Sequence, residues 1–189
     1  MKDKLLIFLI ILTLTSFTYS DKKNYKEIAG ESYHPIVLGQ KHTYTADLTK
    51  YTMYFDSSFT ELGNKKYIKE TIDYGDSQTF VYYREENKNI IYFKPDQKQE
   101  TIEIPAIITI GMVWYESDST WKYTITGIKE TFETPTSIFL NCLVIQSENI
   151  DRKANPKHYR LYLQYYQRGR GYIGTKLGGL VYSYLNMDE

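Results

Sequence analysis

The residues that could do chemistry here are few and far apart. There is one cysteine, Cys142, and there are three histidines, His34, His42 and His158. A thiol nucleophile needs a base beside it and access to substrate. Cys142 instead lies in the apolar run Ile138 to Ser147, where it alternates with Ile138, Leu140 and Val144. That pattern predicts a buried thiol that acts as a small hydrophobe. His34 precedes Pro35 and reads as a surface or turn residue. His42 alternates on a strand, and His158 ends a charged loop. No pair of them has metal-ligand spacing. The carboxylates Glu61, Glu70, Asp73, Asp76, Glu130 and Glu133 are scattered, and charged residues on strands ordinarily form a solvent face. Arg168 and Arg170 alternate with Gly169 and Gly171 among Tyr162, Tyr165, Tyr166 and Tyr172. A nucleic-acid stripe needs a basic face, but Lys plus Arg total 23 against 23 Asp plus Glu. The glycines are better read as a bend in a strand with the arginines on its solvent side. Trp114 and Trp121 flank a short polar stretch, which reads as a hairpin with packed rings or a ring pair at a cavity mouth. The weak ligand-binding candidates are therefore Trp114, Trp121, Tyr123 and Tyr165. No residue is assigned a catalytic, metal or cofactor role, and no hydrolase, phosphate-loop or dinucleotide motif is present.

The elements that must position these groups are strands. Twenty tyrosines and eight phenylalanines are a heavy aromatic load for 189 residues, and such side chains suit a pleated, half-buried surface. Tyr67 to Tyr74 alternates, with Ile68, Ile72 and Tyr74 on one side. Thr79 to Arg84 and Asn89 to Phe93 are joined by the turn Asn87-Lys88-Asn89. Trp121, Tyr123 and Ile125 share a face until Gly127, after which Ile128, Glu130 and Phe132 continue in the opposite phase. A glycine at a phase change predicts a bulge. Ile138 to Ser147 reads as a central strand covered on both sides. Asp151 to Lys157 reads as an exposed loop, and Gly178-Gly179 as a turn before the last strand. Lys22 to Ala29 is the one candidate for a turn or two of helix. The expected fold is mainly β: a single domain of nine or ten strands, as a curved antiparallel sheet or half-open β-barrel.

The first twenty residues set the address. Lys2 and Lys4 precede the apolar run Leu5 to Leu14, and small polar residues follow up to Ser20. This is the layout of a secretory signal peptide, with cleavage expected after Ser20. The run falls short of the roughly 20 apolar residues of a spanning helix. Residues 1–20 are thus expected to be a signal and 21–189 one β-rich domain, exported to the periplasm or beyond. A lone cysteine excludes an internal disulfide, and a domain of this size can do without one.

Several stretches together resemble a group of exported bacterial envelope proteins. These are HPIVLGQKHTY (His34 to Tyr44), YYREENKNIIYF (Tyr82 to Phe93), IGMVWY (Ile110 to Tyr115), ETFETPTSIFLNCLVIQ (Glu130 to Gln146) and YYQRGRGYIG (Tyr165 to Gly174). The group's fold is similar to the half-open barrel of lipoprotein carriers, the LolA/LolB-like group. Arg170 stands where the group usually has an apolar residue, and Thr136 and Ser137 where it often has glycine. The resemblance implies a curved sheet that encloses an apolar groove for a lipid or lipidated ligand, with room for peripheral membrane contact; with the balanced charge and the missing motifs, the expectation is a non-enzymatic binding protein with no cofactor and no nucleic-acid partner. An envelope hydrolase and a structural or adhesion module are the alternatives from other classes.

Overall fold

Alternating aromatic and β-branched residues favour extended backbone, and every regular element among the described residues is a strand. The computed structural model describes residues 32–150 and 161–187. Thirteen strands run in chain order: β1 (Lys41–Ala46), β2 (Thr49–Phe55), β3 (Thr60–Leu62), β4 (Lys65–Asp73), β5 (Gln78–Glu86), β6 (Asn89–Lys94), β7 (Gln99–Ile104), β8 (Val113–Tyr115), β9 (Trp121–Glu133), β10 (Ile138–Asn149), β11 (Leu161–Gln167), β12 (Gly171–Leu177) and β13 (Leu180–Leu185). The fold is all-β, as the alternation demands, with more strands than its spacing suggested. Two of the strands, β3 and β8, are only three residues long, too short to show a period of two. The signal-like head, the Lys22 to Ala29 segment, the Asp151 to Lys157 loop and His158 lie outside the described residues.

The sheet order is β7-β6-β5-β4-β2-β1-β13-β12-β11-β10-β9-β8, all neighbours antiparallel, with β3 paired to β4 alone. Two meanders leave a shared centre in opposite directions. That centre is the pairing of the first and last strands, Tyr44 opposite Leu185. The far edges, β7 and β8, meet on the other side and are joined by side chains. Trp114 Nε1 donates to the Ile102 carbonyl at 2.8 Å, and the Ser117 amide donates to Thr101 Oγ1 at 3.0 Å. Lys94 and Glu116 pair across the same seam at 2.7 Å. A sheet edge exposes unpaired backbone groups. This nearly closed barrel satisfies part of its own edge with an indole and a hydroxyl.

Tight turns fix the register. Asn87 and Lys88 both take positive φ, as a two-residue type I′ hairpin requires, and so do Gly178 and Gly179. The segment from Ser32 to Gln40 crosses one end of the barrel. The Gly169 amide donates to the Ser32 carbonyl at 2.8 Å, and the Arg168 guanidinium lies 4.4 Å from the Tyr33 ring centre. Tyr33, Phe55, Ile68, Tyr83, Ile90, Ile104, Ile125, Leu143 and Tyr166 pack there as the main core. A second core, holding Phe132, Phe139, Cys142, Val144 and Tyr165, centres on the outer side of the β9–β12 wall.

Four expectations are corrected. His34 is not at the surface: it is buried, 4.6 Å from the Tyr83 ring and edge-on to Phe55, because the crossing segment carries it under the barrel. Arg168 and Arg170 sit in the β11–β12 turn rather than on a bent strand, since both flanking strands end beside them. Arg170 bonds Gln167 and covers the Phe139 ring. The strand Ile138 to Ser147 is not covered on both sides throughout: Ile138 and Leu140 are exposed. Asn141 takes φ of 58° and the register slips between Phe139 and Cys142, so Cys142 no longer shares a face with Ile138 and Leu140. Cys142 is nevertheless fully buried, and the bulge is the reason. Fourth, Glu70 is not on a solvent face. It is buried on the inner side of β4, between Ile68 and Ile72.

Candidate functional site

Residues of β1, β2, β4 to β7 and β9 to β13 surround two adjoining cavities of about 310 and 420 Å³. They share a wall of Tyr51, Tyr74, Lys94, Tyr123, Gln164 and Tyr172. Strand periodicity explains the aromatic lining, because every second residue of each strand must point inward. The interior is a mixed surface, in which the rings that abundant tyrosine, phenylalanine and isoleucine suggested stand beside polar groups. Tyrosine brings a hydroxyl with every ring, and those of Tyr92, Tyr123, Tyr166 and Tyr172 are hydrogen-bonded to other groups around the space.

Carboxylates converge on the same interior. Glu70 lies in β4 and lines the first cavity, with His34 at its base. Burial pushes the Glu70 carboxyl up to about 8, and the nearby Glu103 adds to the effect. Glu103 reaches the cavity through a bulge. Ile90 pairs with Ile104 and Ile91 with Ile102, so Glu103 is an extra residue that the ladder does not hold. Burial raises its carboxyl as well, while the Tyr166 hydroxyl donates to Glu103 Oε1 at 2.7 Å. Glu116 is the third. It is buried at the seam and accepts from Lys94 Nζ at 2.7 Å, from Gln97 at 3.2 Å and from the Tyr123 hydroxyl at 3.1 Å. Lys94 is thereby committed to Glu116. Among the described residues no cationic side chain lies within ion-pair distance of Glu70 or Glu103.

Three buried polar atoms at the base have no partner: Glu70 Oε2 and both ring nitrogens of His34. Burial without a hydrogen bond holds the imidazole neutral, down at about 4. Orphaned buried polar atoms cost free energy, and a cluster of them beside a cavity is where a ligand's groups belong. No group of three His, Cys, Asp or Glu among the described residues is placed to hold a metal.

The sequence candidates divide. Tyr123 lines both cavities, and Trp121 lines the second. Trp114 stacks on Tyr123 at 5.6 Å with its indole nitrogen turned to the seam. Tyr165 points to the opposite side of the sheet and stacks on Phe132 at 4.4 Å. Sequence reasoning passed over Glu70, Glu103 and His34 as site residues. Glu70 was legible, since it has the parity of Ile68 and Ile72. Glu103 was not, because a bulge is invisible to a count of two. Cys142 lies in the outer core away from both cavities, and burial pushes its thiol up to about 12. An aromatic-disulfide thiol reagent is expected to leave the folded protein unlabelled and to label one equivalent in denaturant. Rapid labelling without denaturant would contradict that burial.

Fold and interior together define the class: an all-β, nearly closed barrel with a plugged end and a polar, tyrosine-lined chamber. No family model matches the chain, and no curated protein matches its sequence. Among solved structures, a Bacteroides fragilis protein described as exported and as having a YmcC-like fold superposes with a TM-score of 0.46 at 13% identity. The match covers 80% of this chain and 96% of that one. A superposition so loose transfers no residue and no role.

Proposed function

We propose that this is an exported, non-catalytic binding protein that holds a small polar molecule inside its barrel. The observation that carries the reading is the chamber lining: tyrosine hydroxyls, Gln164 and the acids Glu70 and Glu103 around a space of ligand size. An acyl chain offers nothing to the unpartnered Glu70 Oε2 and His34 nitrogens, which cost about 1–3 kcal/mol each to leave without a bond. That argues for a hydrogen-bonding occupant and against the lipid that the LolA/LolB-like resemblance implies. Export rests on the basic, apolar, polar order of residues 1–20.

Two acids lining one cavity also invite a hydrolase reading, with Glu70 as the proton donor. Glycoside cleavage needs one carboxyl held protonated and its partner held ionised. Burial pushes Glu70 and Glu103 the same way, upward, which favours binding over catalysis.

The test is a thermal-shift panel followed by calorimetry. Small sugars, amino acids and amines form one arm, and fatty acids and phospholipid form the other. Stabilisation is expected from members of the first arm alone, and Tyr166→Phe is expected to weaken the hit about fivefold or more, through loss of one hydroxyl bond. Co-purified acyl lipid, seen by native mass spectrometry, would overturn the reading. Turnover of a glycoside that Glu70→Gln abolishes would replace it with the hydrolase.

A further inference from the structure

We infer that the base of the chamber is a receptor for a primary ammonium group, held by Glu70 and Glu103 with His34 as a neutral acceptor. This rests on the polar-ligand reading and names the chemistry of the ligand. The first ground is the donor and acceptor inventory. Glu70 Oε2 is buried and unpartnered, and so are both nitrogens of the His34 ring, one of which is an acceptor in any neutral tautomer. A primary ammonium presents three N–H donors on one atom, which matches two carboxylates and an imidazole.

The second ground is charge. Glu70, Glu103 and Glu116 enter the lining of the two cavities, and among the described residues Lys94 is the cationic side chain there. Lys94 answers Glu116 at 2.7 Å. Glu70 and Glu103 are thus two carboxyls with no cation in ion-pair range, and a ligand of positive charge lets them ionise where burial otherwise holds them back. The third ground is the set of rings. His34 lies 4.6 Å from Tyr83, Tyr83 lies 6.3 Å edge-on to Tyr92, and the Tyr92 and Tyr123 hydroxyls meet at 3.4 Å. Tyr92 already holds Lys94 Nζ 5.1 Å from its ring centre, and a ring face adds attraction to a cation that a neutral ligand does not receive.

Other titratable groups set the pH behaviour. Tyr44 and Tyr83 feel Glu70 from β1 and β5, and burial holds both hydroxyls protonated. Tyr172 lines the same cavity from β12, and its hydroxyl is engaged by Thr175 and Ser183. Glu103 faces Tyr92, Tyr123, Tyr166, Lys94 and Glu116. His42 and Arg170 border a separate small cavity behind Glu70, where Arg170 is turned to Gln167. None of these supplies a cation to Glu70. With the empty site keeping Glu70 protonated up to about 8, ammonium binding releases a proton. Affinity should rise about tenfold per pH unit toward pH 8 and then level off, while an alkylammonium of pKa about 10 stays charged.

The test uses calorimetry on the purified protein with three probes of similar size: n-butylammonium, 1-butanol and tetramethylammonium. n-Butylammonium is expected to bind with proton release and at least tenfold tighter at pH 8 than at pH 6. 1-Butanol and tetramethylammonium are expected to bind at least tenfold more weakly, the first for want of charge and the second for want of donors. Glu70→Gln keeps the side chain's shape and is expected to abolish the pH dependence and cost at least tenfold. Glu103→Gln is the second variant and should weaken binding without removing that dependence. Equal binding of n-butylammonium and tetramethylammonium overturns the inference, and so does n-butylammonium binding that Glu70→Gln leaves unchanged. No ammonium binding together with a bound neutral sugar overturns it too, while leaving the polar-ligand reading intact. A bound acyl lipid overturns both.

Discussion

Glu70→Gln is expected to be more stable than the parent protein at pH 8.5, by about 2–5 kcal/mol, and nearly equal to it at pH 4.5. The sign follows from linkage. The Glu70 carboxyl is raised in the folded state from 4.5 to about 8, so the folded chain holds a proton that the unfolded chain has released. Its contribution is fully present below pH 4.5 and is lost as pH rises through 8. His34 acts in the opposite sense. Its imidazole is lowered from 6.5 to about 4, so its contribution is present above pH 6.5 and lost as pH falls toward 4. Glu103, also raised by burial, adds a decline above pH 4.5 that both proteins share. The parent should therefore fall below Glu70→Gln by a margin that widens from pH 4.5 to 8 and then levels off, a difference in which the His34 and Glu103 contributions cancel. Urea unfolding at half-unit steps of pH reads this directly. Superimposable curves for the two proteins would mean that Glu70 ionises in the fold as easily as in water.

Gly174→Ala is expected to cost about 3–5 kcal/mol. A Cβ at Gly174 would stand 2.3 Å from the Ser183 carbonyl oxygen and 2.6 Å from the Phe132 ring. The first is backbone of the neighbouring strand and cannot swing away. Gly174 pairs with Tyr165 and with Tyr184 beside two register slips, where β12 bends and the outer core presses down on it. Its φ of 152° adds strain for any other residue. Gly178→Ala is the control. Its Cβ would meet open space, so only the positive φ is charged against it, about 1 kcal/mol. Equal losses for the two variants would show that the β12–β13 ladder yields and that the close approach is soft.

These two residues mark where sequence reasoning was strong and where it stopped. Glu70 stands in YIKETIDY, and a period of two puts it beside Ile68 and Ile72 on the inner face. The habit of sending charges to solvent hid it, although the alternation had already placed it. His34 gave no comparable signal. It lies before the first strand, in a segment without periodicity, and its burial depends on the β11–β12 turn that Tyr33 and Ser32 contact 130 residues and more further on. Trp114 and Trp121 were singled out as a pair flanking one hairpin. They do flank it, yet they stack on different partners, Tyr123 and Tyr162.

The order of apolar and polar residues was enough to determine an all-β chain, the hairpin at Asn87-Lys88 and the Gly178-Gly179 turn, because each is a local property of backbone angles and alternating faces; Cys142 is buried as expected, but through a bulge that the alternation does not show. Closure of the sheet, the inward turn of Glu103 and the meeting of Glu70, Glu103 and His34 were decided by the tertiary structure alone. They depend on bulges, which shift a face by one residue without altering composition, and on pairing between the first and last strands. Those are long-range contacts, and no local pattern carries the distance between them.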